Sequence, residues 1–449
     1  MHDYRQDLTL LRDRRFAFLF SARTLSMLGI AFAPVALAFG ILDLPGATPT
    51  TLSLVLAAEA VAVVVFTLAG GVIADRYPRH RVLQAAEWVN ALAHVGLGLM
   101  ILGEQAPTWA LATAAAVSGT ATAMVWPALT GIVPDVVPAA HLQQGNALLG
   151  LGGNIARVAG LVAGGVVVVA VGGGWALLIA AALFGAGGLL ISLLALPRAR
   201  AYEAVSGTIL GDLRDGWQEF RSRQWLWVVV VQFSVLVMVW QAAHLVLGPV
   251  VARQELGGPK AWTAVLTGEA IGLIVGVLIA MRIRPRRPIL AVTLLSFGAA
   301  PPYLLLGGSA PLWLVVVSAF VLGVCFDLFT VLWQTTMQRE IPPAALSRVS
   351  SYDALGSLML GPLGLVLAGP AAEAFGPHPA LIGCGVVMVL STLFALSFPG
   401  VRSLTAPDVA HAGAAASPGL PAVPGPAGPP GAPGAAGTPG PPGAPGAHP

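Results

Sequence analysis

Twelve times along this chain the sequence runs for roughly 20 residues or more with almost nothing but apolar side chains, and no other feature restricts its fold as much. A backbone inside hydrocarbon must satisfy its own N–H and C=O groups, so runs of this length and spacing are read as membrane-spanning helices. The predicted spans are 16–42, 51–74, 82–103, 109–133, 143–171, 175–196, 225–251, 262–281, 288–307, 311–337, 347–371 and 378–399. The fifth and sixth are divided only by the glycine cluster Gly172 to Gly174. Composition agrees: 10% of the 449 residues are charged and 56% are hydrophobic, whereas a water-soluble domain carries about 25% charged residues. The fold class expected is an all-α membrane protein with 12 transmembrane helices.

Placement of the basic residues sets the orientation. Four arginines (5, 12, 14, 15) precede the first span, and three (76, 79, 81) follow the second. Five (198, 200, 214, 221, 223) lie between the sixth and seventh, and four (282, 284, 286, 287) follow the eighth. Adding Arg339, Arg348 and Arg402 gives nineteen on one side, against Arg253 and Lys260 on the other; Arg23 and Arg157 fall within spans. The positive-inside rule makes the arginine-rich side cytoplasmic, and an even number of spans puts both termini there. The polar N-terminal stretch leads into an uncleaved first helix, because it lacks the short apolar core and small-residue site of a signal peptide.

The chain therefore divides into a cytoplasmic N-terminus (1–15), a six-helix bundle (16–196), a cytoplasmic linker (197–224), a second six-helix bundle (225–399) and a tail (400–449). In the linker Ile209, Leu210, Leu213, Trp217 and Phe220 recur at helical spacing between charges, predicting an amphipathic helix on the membrane face. The tail is rich in Pro, Gly and Ala, with Gly-X-Y triplets from Gly425 to Gly446. So few triplets on a chain with no trimer to pair them predict disorder. The two bundles echo each other: Val55-Leu56-Ala57-Ala58-Glu59-Ala60 and Val265-Leu266-Thr267-Gly268-Glu269-Ala270 occupy the second span of each half, an internal repeat. Cys325 and Cys384 lie in apolar runs and read as small buried hydrophobes, not a disulfide framework.

Ionisable residues inside a membrane are functional candidates by default, since each is costly unless paired or hydrated. Arg23, Glu59, Glu87, Arg157, Glu269 and Asp327 fall within the predicted spans. Carboxyl groups shielded from water can carry a proton between the two sides of a membrane. Glu59 and Asp327 are expected to be the proton-titrating or substrate-cation sites, with Glu269 third. Arg23 and Arg157 are expected to be counter-ions or to hold anionic substrate groups. Glu87, close to the cytoplasmic end of its span, is expected to reach water, and His94 and His244 to be packed core residues. Trp126, Phe233, Trp240, Phe326 and Trp333 are candidates to line an amphiphile cavity. No G-x-x-x-x-G-K-[ST] phosphate loop is present, so direct ATP drive is not expected. Neither a metal-ligand cluster nor a nucleophile–base set is apparent, so the expectation is no enzyme, no cofactor and no nucleic-acid partner.

The turn after the second span reads Gly71-Val72-Ile73-Ala74-Asp75-Arg76-Tyr77-Pro78-Arg79-His80-Arg81. It resembles the cytoplasmic signature of the major facilitator superfamily, with matches at Gly71, Asp75, Arg76, Arg79 and Arg81. The resemblance implies that Asp75 docks at the start of the eleventh span and latches the cytoplasmic side, as a helix N-terminus attracts an anion. In the fifth span Gly160, Gly164 and Gly165 resemble the antiporter signature of exporter subfamilies, although Leu161 stands where Pro is usual. The glycines also suit close helix packing. Pro127-Ala128-Leu129, Val133-Pro134-Asp135 and Ile341-Pro342-Pro343 with Arg348-Val349-Ser350-Ser351 resemble the branch that contains enterobactin-type siderophore exporters and macrolide efflux pumps.

The resemblance implies a bacterial inner-membrane (plasma membrane) carrier, usually a monomer, of two bundles around a central cavity lined in part by Trp126, Trp240 and Trp333. Its expected work is proton-driven efflux of a small amphiphile (a drug, siderophore or secondary metabolite) by alternating access. Partners would be that substrate, protons and the lipid bilayer. A proton-coupled importer and a non-transporting sensor or scaffold are the alternatives.

Overall fold

The computed structural model describes the backbone of residues 8–104, 106–138, 141–194, 217–280 and 282–405. Within these stretches the side chains at 8–9, 68–76, 126–127, 130–131, 134, 142–143, 146–147, 343–344, 347–348 and 351 lie outside the description. The described residues form helices and connecting turns, with no strand among them.

The first half consists of α1 (Arg14–Leu42), α2 (Pro49–Arg76), α3 (Arg79–Leu102), α4 (Thr108–Val136) and α5 (Leu142–Ser192). The second begins with α6, which runs over Gln224–Glu255 through a π-helical turn at Ala242–Leu247. It continues with α7 (Pro259–Ala280), α8 (Pro288–Gly307), α9 (Leu312–Glu340), α10 (Pro343–Leu358), α11 (Gly361–Phe375) and α12 (Pro377–Ser397). Asp13 starts α1 by accepting from the N–H groups of Arg15 (2.8 Å) and Phe16 (3.1 Å), so the first apolar helix begins at a polar cap. Eleven of the resulting helical segments are long and apolar enough to cross a membrane.

The count of eleven arises at α5, where the predicted fifth and sixth spans are joined. A straight helix of its 51 residues would be about 75 Å long, far more than a bilayer core. Gly172 breaks it, with φ 85° and ψ 166°, a conformation essentially reserved for glycine. The contacts to α1 show the chain reversing there. Gly152 lies against Phe20 and Thr24, Gly160 against Leu28 and Ala31, and Gly173 against Ala36 and Gly40. Gly29 then meets Phe184, and Gly187 meets Ala22 and Ser26. The arms 142–171 and 173–192 thus run antiparallel along the same helix.

The two halves share one internal contact. A Cβ on Gly119 of α4 would strike the backbone carbonyl of Glu59 on α2, and a Cβ on Gly323 of α9 would strike that of Glu269 on α7. The sequence repeat around the two glutamates is therefore also a packing repeat.

The halves meet at the end opposite the arginine-rich turns. Gly369 N–H donates to Ser53 Oγ at 3.2 Å, and the Ser53 hydroxyl donates to the Leu365 carbonyl. Thr50 N–H donates to Glu373 Oε1 at 3.2 Å, Arg253 Nε lies 3.0 Å from Asp43 Oδ1, and Gly165 lies against Thr263. Residues 217–222 of the linker are helical. Phe220 is buried there, with Trp217 and Phe220 packed on Tyr352 at ring separations of 5.6 and 6.0 Å. The rest of the linker, including Ile209, Leu210 and Leu213, and the Gly-X-Y tail lie outside the described residues.

Candidate functional site

Between the halves, under that seal, lies a cavity of about 320 Å³. Its walls are mostly aliphatic, with Leu37, Leu56, Val63, Leu97, Phe184, Leu245 and Leu365 among the lining residues. Pro34 of α1 and Pro362 of α11 also face it. Pro34, inside α1, removes one helical hydrogen bond, which frees the carbonyl of Ile30, itself a lining residue. Pro362 instead stands in the first turn of α11, where the N–H has no helical partner in any case. Glu59 is the cavity's one carboxylate, and no Lys or Arg lines it among the described residues.

Glu59 belongs to a polar cluster drawn from three helices of the first half. Its carboxyl group lies beside Ser118 of α4. The Ser118 hydroxyl donates to Asn90 Oδ1 on α3 at 2.9 Å, and Asn90 Nδ2 reaches Thr122 Oγ1 at 3.5 Å. His94 Nδ1 lies 2.9 Å from the Asn90 carbonyl, and its ring packs 4.9 Å from Phe184. Sequence reasoning singled out Glu59 but missed Asn90, Ser118, Thr122 and Gln241. The available signal was polar residues inside apolar spans, with Ser118 and Thr122 four apart and hence on one helical face.

The remaining charged candidates lie elsewhere. Arg23 and Glu87 attract each other in the core of the first half, where the Ser26 hydroxyl donates to Glu87 Oε1. Glu87 is only 2% exposed, so the expectation that it reaches water is corrected. The returning arm of α5 covers it through Gly187 and Gly188, where a Cβ would stand 3.4 and 3.3 Å from its side chain. Asp327 on α9 faces Gly276 of α7 and does not line the cavity; its Oδ2 is buried without a hydrogen-bond partner. Glu269 packs with His244 on α6 and Tyr303 on α8. Arg157 on α5 is exposed, and its charge acts on both Glu269 and Asp327 across the boundary between the halves.

Of the proposed cavity tryptophans, Trp240 stacks on His244 at 4.6 Å, and Trp333 is buried, donating from Nε1 to Asp353 Oδ2 at 3.2 Å. Neither lines the cavity, and the Trp126 side chain lies outside the description. Phe184 is the aromatic ring in the wall. In the cytoplasmic signature Arg79 pairs with Asp135 at 3.9 Å, and Arg81 is exposed. The backbone of Gly71, Asp75 and Arg76 closes α2, but their side chains lie outside the description. The α5 glycines pack tightly. Gly160 leaves 2.8 Å between a would-be Cβ and the Leu28 carbonyl, Gly164 rests on Phe32, and Gly165 meets Thr263 of the other half.

Two helical halves around an apolar cavity that carries one carboxylate have the form of a membrane carrier. The model of the Major Facilitator Superfamily matches residues 16–361, and the chain belongs to that family. It is a membrane transporter and not an enzyme. Among its relatives, the multidrug efflux pump Tap of Mycobacterium tuberculosis is 25% identical over 365 residues, covering 78% of this chain and 86% of Tap. The enterobactin exporter EntS of Shigella boydii is 27% identical over 401 residues, covering 86% and 93%. The solved nucleoside transporter NupG has the same fold, with a TM-score of 0.68 at 13% identity over 85% of this chain and 98% of that one. A bacterial homologue of the human lysosomal transporter Spinster gives a TM-score of 0.63 at 15% identity, covering 88% and 99%.

Proposed function

We propose that the protein is a proton-coupled exporter of small amphiphilic cations or weak bases, acting by alternating access in the bacterial plasma membrane. The two arms of α5 count as separate crossings, and α10 with α11 as one, giving twelve helices with both termini in the cytoplasm. The arginine-rich end is then cytoplasmic, and the sealed end faces outward. The protein works as a monomer on the proton gradient, without a cofactor. Efflux is supported by relatives named as efflux pumps and exporters.

The observation that carries the substrate class is the single carboxylate in an apolar wall without Lys or Arg. The volume of about 320 Å³ suits a compact ligand, at the low end of the roughly 300–1,000 Å³ typical of ligand sites. A cation with an apolar body is neutralised by Glu59 and desolvated by the aliphatic wall. An anionic siderophore would meet the same carboxylate with no Lys or Arg among the described lining residues to offset it, which argues against that member of the expected substrate range.

Hydrogen bonding gives Glu59 two states. Ser118 has one hydroxyl hydrogen. While it goes to Asn90, the Ser118 oxygen accepts from a protonated Glu59. When Glu59 is ionised, by proton loss or on meeting a cation, the hydrogen turns to Glu59 and Asn90 Oδ1 loses its donor. Proton and cation thus hold the cluster in different arrangements.

The test is accumulation of ethidium in cells lacking their own pumps, with and without this protein, before and after collapse of the proton gradient. The expected result is lower accumulation that depends on the gradient, and loss of that protection in Glu59→Gln with the protein still in the membrane. Protection that survives Glu59→Gln removes Glu59 from the mechanism, and higher accumulation with the protein reverses the direction to import.

A further inference from the structure

A second cluster of buried polar side chains lies in the other half, outside the cavity. His244 Nδ1 is 3.0 Å from the Tyr303 hydroxyl and 3.6 Å from Glu269 Oε2. Glu269 Oε2 is buried and has no hydrogen-bond partner. Trp240 and Trp262 enclose the imidazole, with ring separations of 4.6 and 5.4 Å. The packing leaves no space for a water molecule. An orphan carboxylate oxygen in a dry site is completed by a proton or by a donor that moves in.

The cluster's position ties it to the cavity. His244 sits on the π-helical turn Ala242–Leu247. Leu245 on that turn and Gln241 just before it line the wall of the Glu59 cavity, while His244 faces Glu269. One local distortion of α6 thus serves both places, and π-turns inside α-helices are frequent at functional sites. The charged and titratable groups that face Glu269 are His244 from α6 and Arg157 from α5, with Tyr303 of α8 beyond His244 and Cys384 of α12 acting on Tyr303; Asp327 of α9 meets α7 at Gly276, about two turns away. Of the charged residues of α1, Arg14 and Arg15 stand at its start and Arg23 interacts with Glu87.

We propose that Glu269, His244 and Tyr303 form the site that carries the coupled proton, separate from the cavity where Glu59 meets the substrate. The proposal rests on the reading of the protein as a proton-coupled carrier. A proton arriving from the outer side binds between Glu269 Oε2 and His244 Nδ1 and completes the orphan oxygen. Its departure to the cytoplasm leaves a carboxylate on Glu269 and a neutral imidazole whose Nδ1 accepts the Tyr303 hydroxyl hydrogen. The cation whose charge then acts on Glu269 is Arg157, on the opposite half. The attraction draws α5 and α7, which already meet at Gly165 and Thr263, together further from the seal. Loss of the proton therefore favours closure of the arginine-rich end, and its return releases Arg157 and lets that end reopen.

Two measurements on Glu269→Gln test this, one of them independent of any substrate. The first is the pH-difference infrared spectrum of the purified full-length protein. The wild type is expected to show a titrating carbonyl band of a buried carboxylic acid that is lost in Glu269→Gln and shifted in Tyr303→Phe. A band unchanged in Glu269→Gln overturns the proposal. The second uses tetraphenylphosphonium in proteoliposomes. Glu269→Gln should bind the cation and exchange it without a gradient as the wild type does, while gradient-driven accumulation falls by about tenfold or more. Accumulation at the wild-type level in Glu269→Gln also overturns the proposal. Loss of binding in this variant would make Glu269 part of the substrate site and would equally overturn the separation. A wild type that shows the band yet moves no probe would reject the cation-exporter reading and leave the proton site standing.

Discussion

At the scale of single residues, the two intramembrane glutamates of the first half show how surroundings divide the same side chain between tasks. Glu59 opens onto the cavity, while Glu87 is closed in by Arg23, Ser26 and the glycines of the returning α5 arm. Removing one partner of such a buried pair costs about 3–5 kcal/mol, because the other charge stays behind in low dielectric. Glu87→Ala is therefore expected to lower the melting temperature of the purified protein sharply, and Glu87→Gln, which keeps an acceptor for Ser26, to lower it less. Equal melting of Glu87→Ala and wild type would show that the pair holds nothing together. The sequence marked both glutamates as intramembrane charges but could not tell them apart. The partners of Glu87 come from helices far along the chain (Ser26 is 61 residues away), and hydropathy carries no record of which helices touch.

At the scale of elements, α5 and α6 depend on local backbone departures of different visibility. The turn at Gly172 was legible, because three glycines in succession between two apolar runs leave one place to reverse. A hydropathy scan cannot see it, since both arms are equally apolar. The π-turn of α6 was not legible: the stretch Gln241 to Gly248 contains no proline before Pro249 and reads as an ordinary helix. Nothing lies within 4 Å of a Cβ added at Gly172, so Gly172→Ala would suffer only its positive φ, at a cost of about 1–3 kcal/mol. Gly150 has equal space around it but helical backbone, so Gly150→Ala is expected to be neutral or stabilising by about 0.5–1 kcal/mol. Thermal unfolding of the two variants side by side checks this. If Gly172→Ala is as stable as Gly150→Ala, the reversal does not depend on glycine.

At the scale of the whole molecule, the repeat read from Val-Leu-x-x-Glu-Ala is matched by the Gly119 and Gly323 contacts. The arginine bias marked which helix ends lie together. What the sequence did not disclose is the seal, because much of it is made by backbone groups and small side chains whose partners lie in the other half. Ser53 and Gly369 are its centre, with the Ser53 Cβ 2.7 Å from a Cβ built on Gly369. A disulfide needs Cβ atoms about 3.8 Å apart, and the same built Cβ strikes the Thr50 Cα and stands 2.8 Å from the Pro49 carbonyl. Ser53→Cys with Gly369→Cys therefore forms one only with α11 displaced outward from the backbone at the start of α2. The native Cys325 and Cys384 would be changed to Ser to prevent other pairings. If the protein works by opening this end in turn with the other, oxidation should abolish ethidium efflux and a reductant should restore it, while neither treatment affects the background with Ser53 and Gly369 intact. Efflux that continues with the bond shown to be closed would mean that the substrate leaves by a route that does not part α2 from α11, and the rocking of the two halves would have to be abandoned.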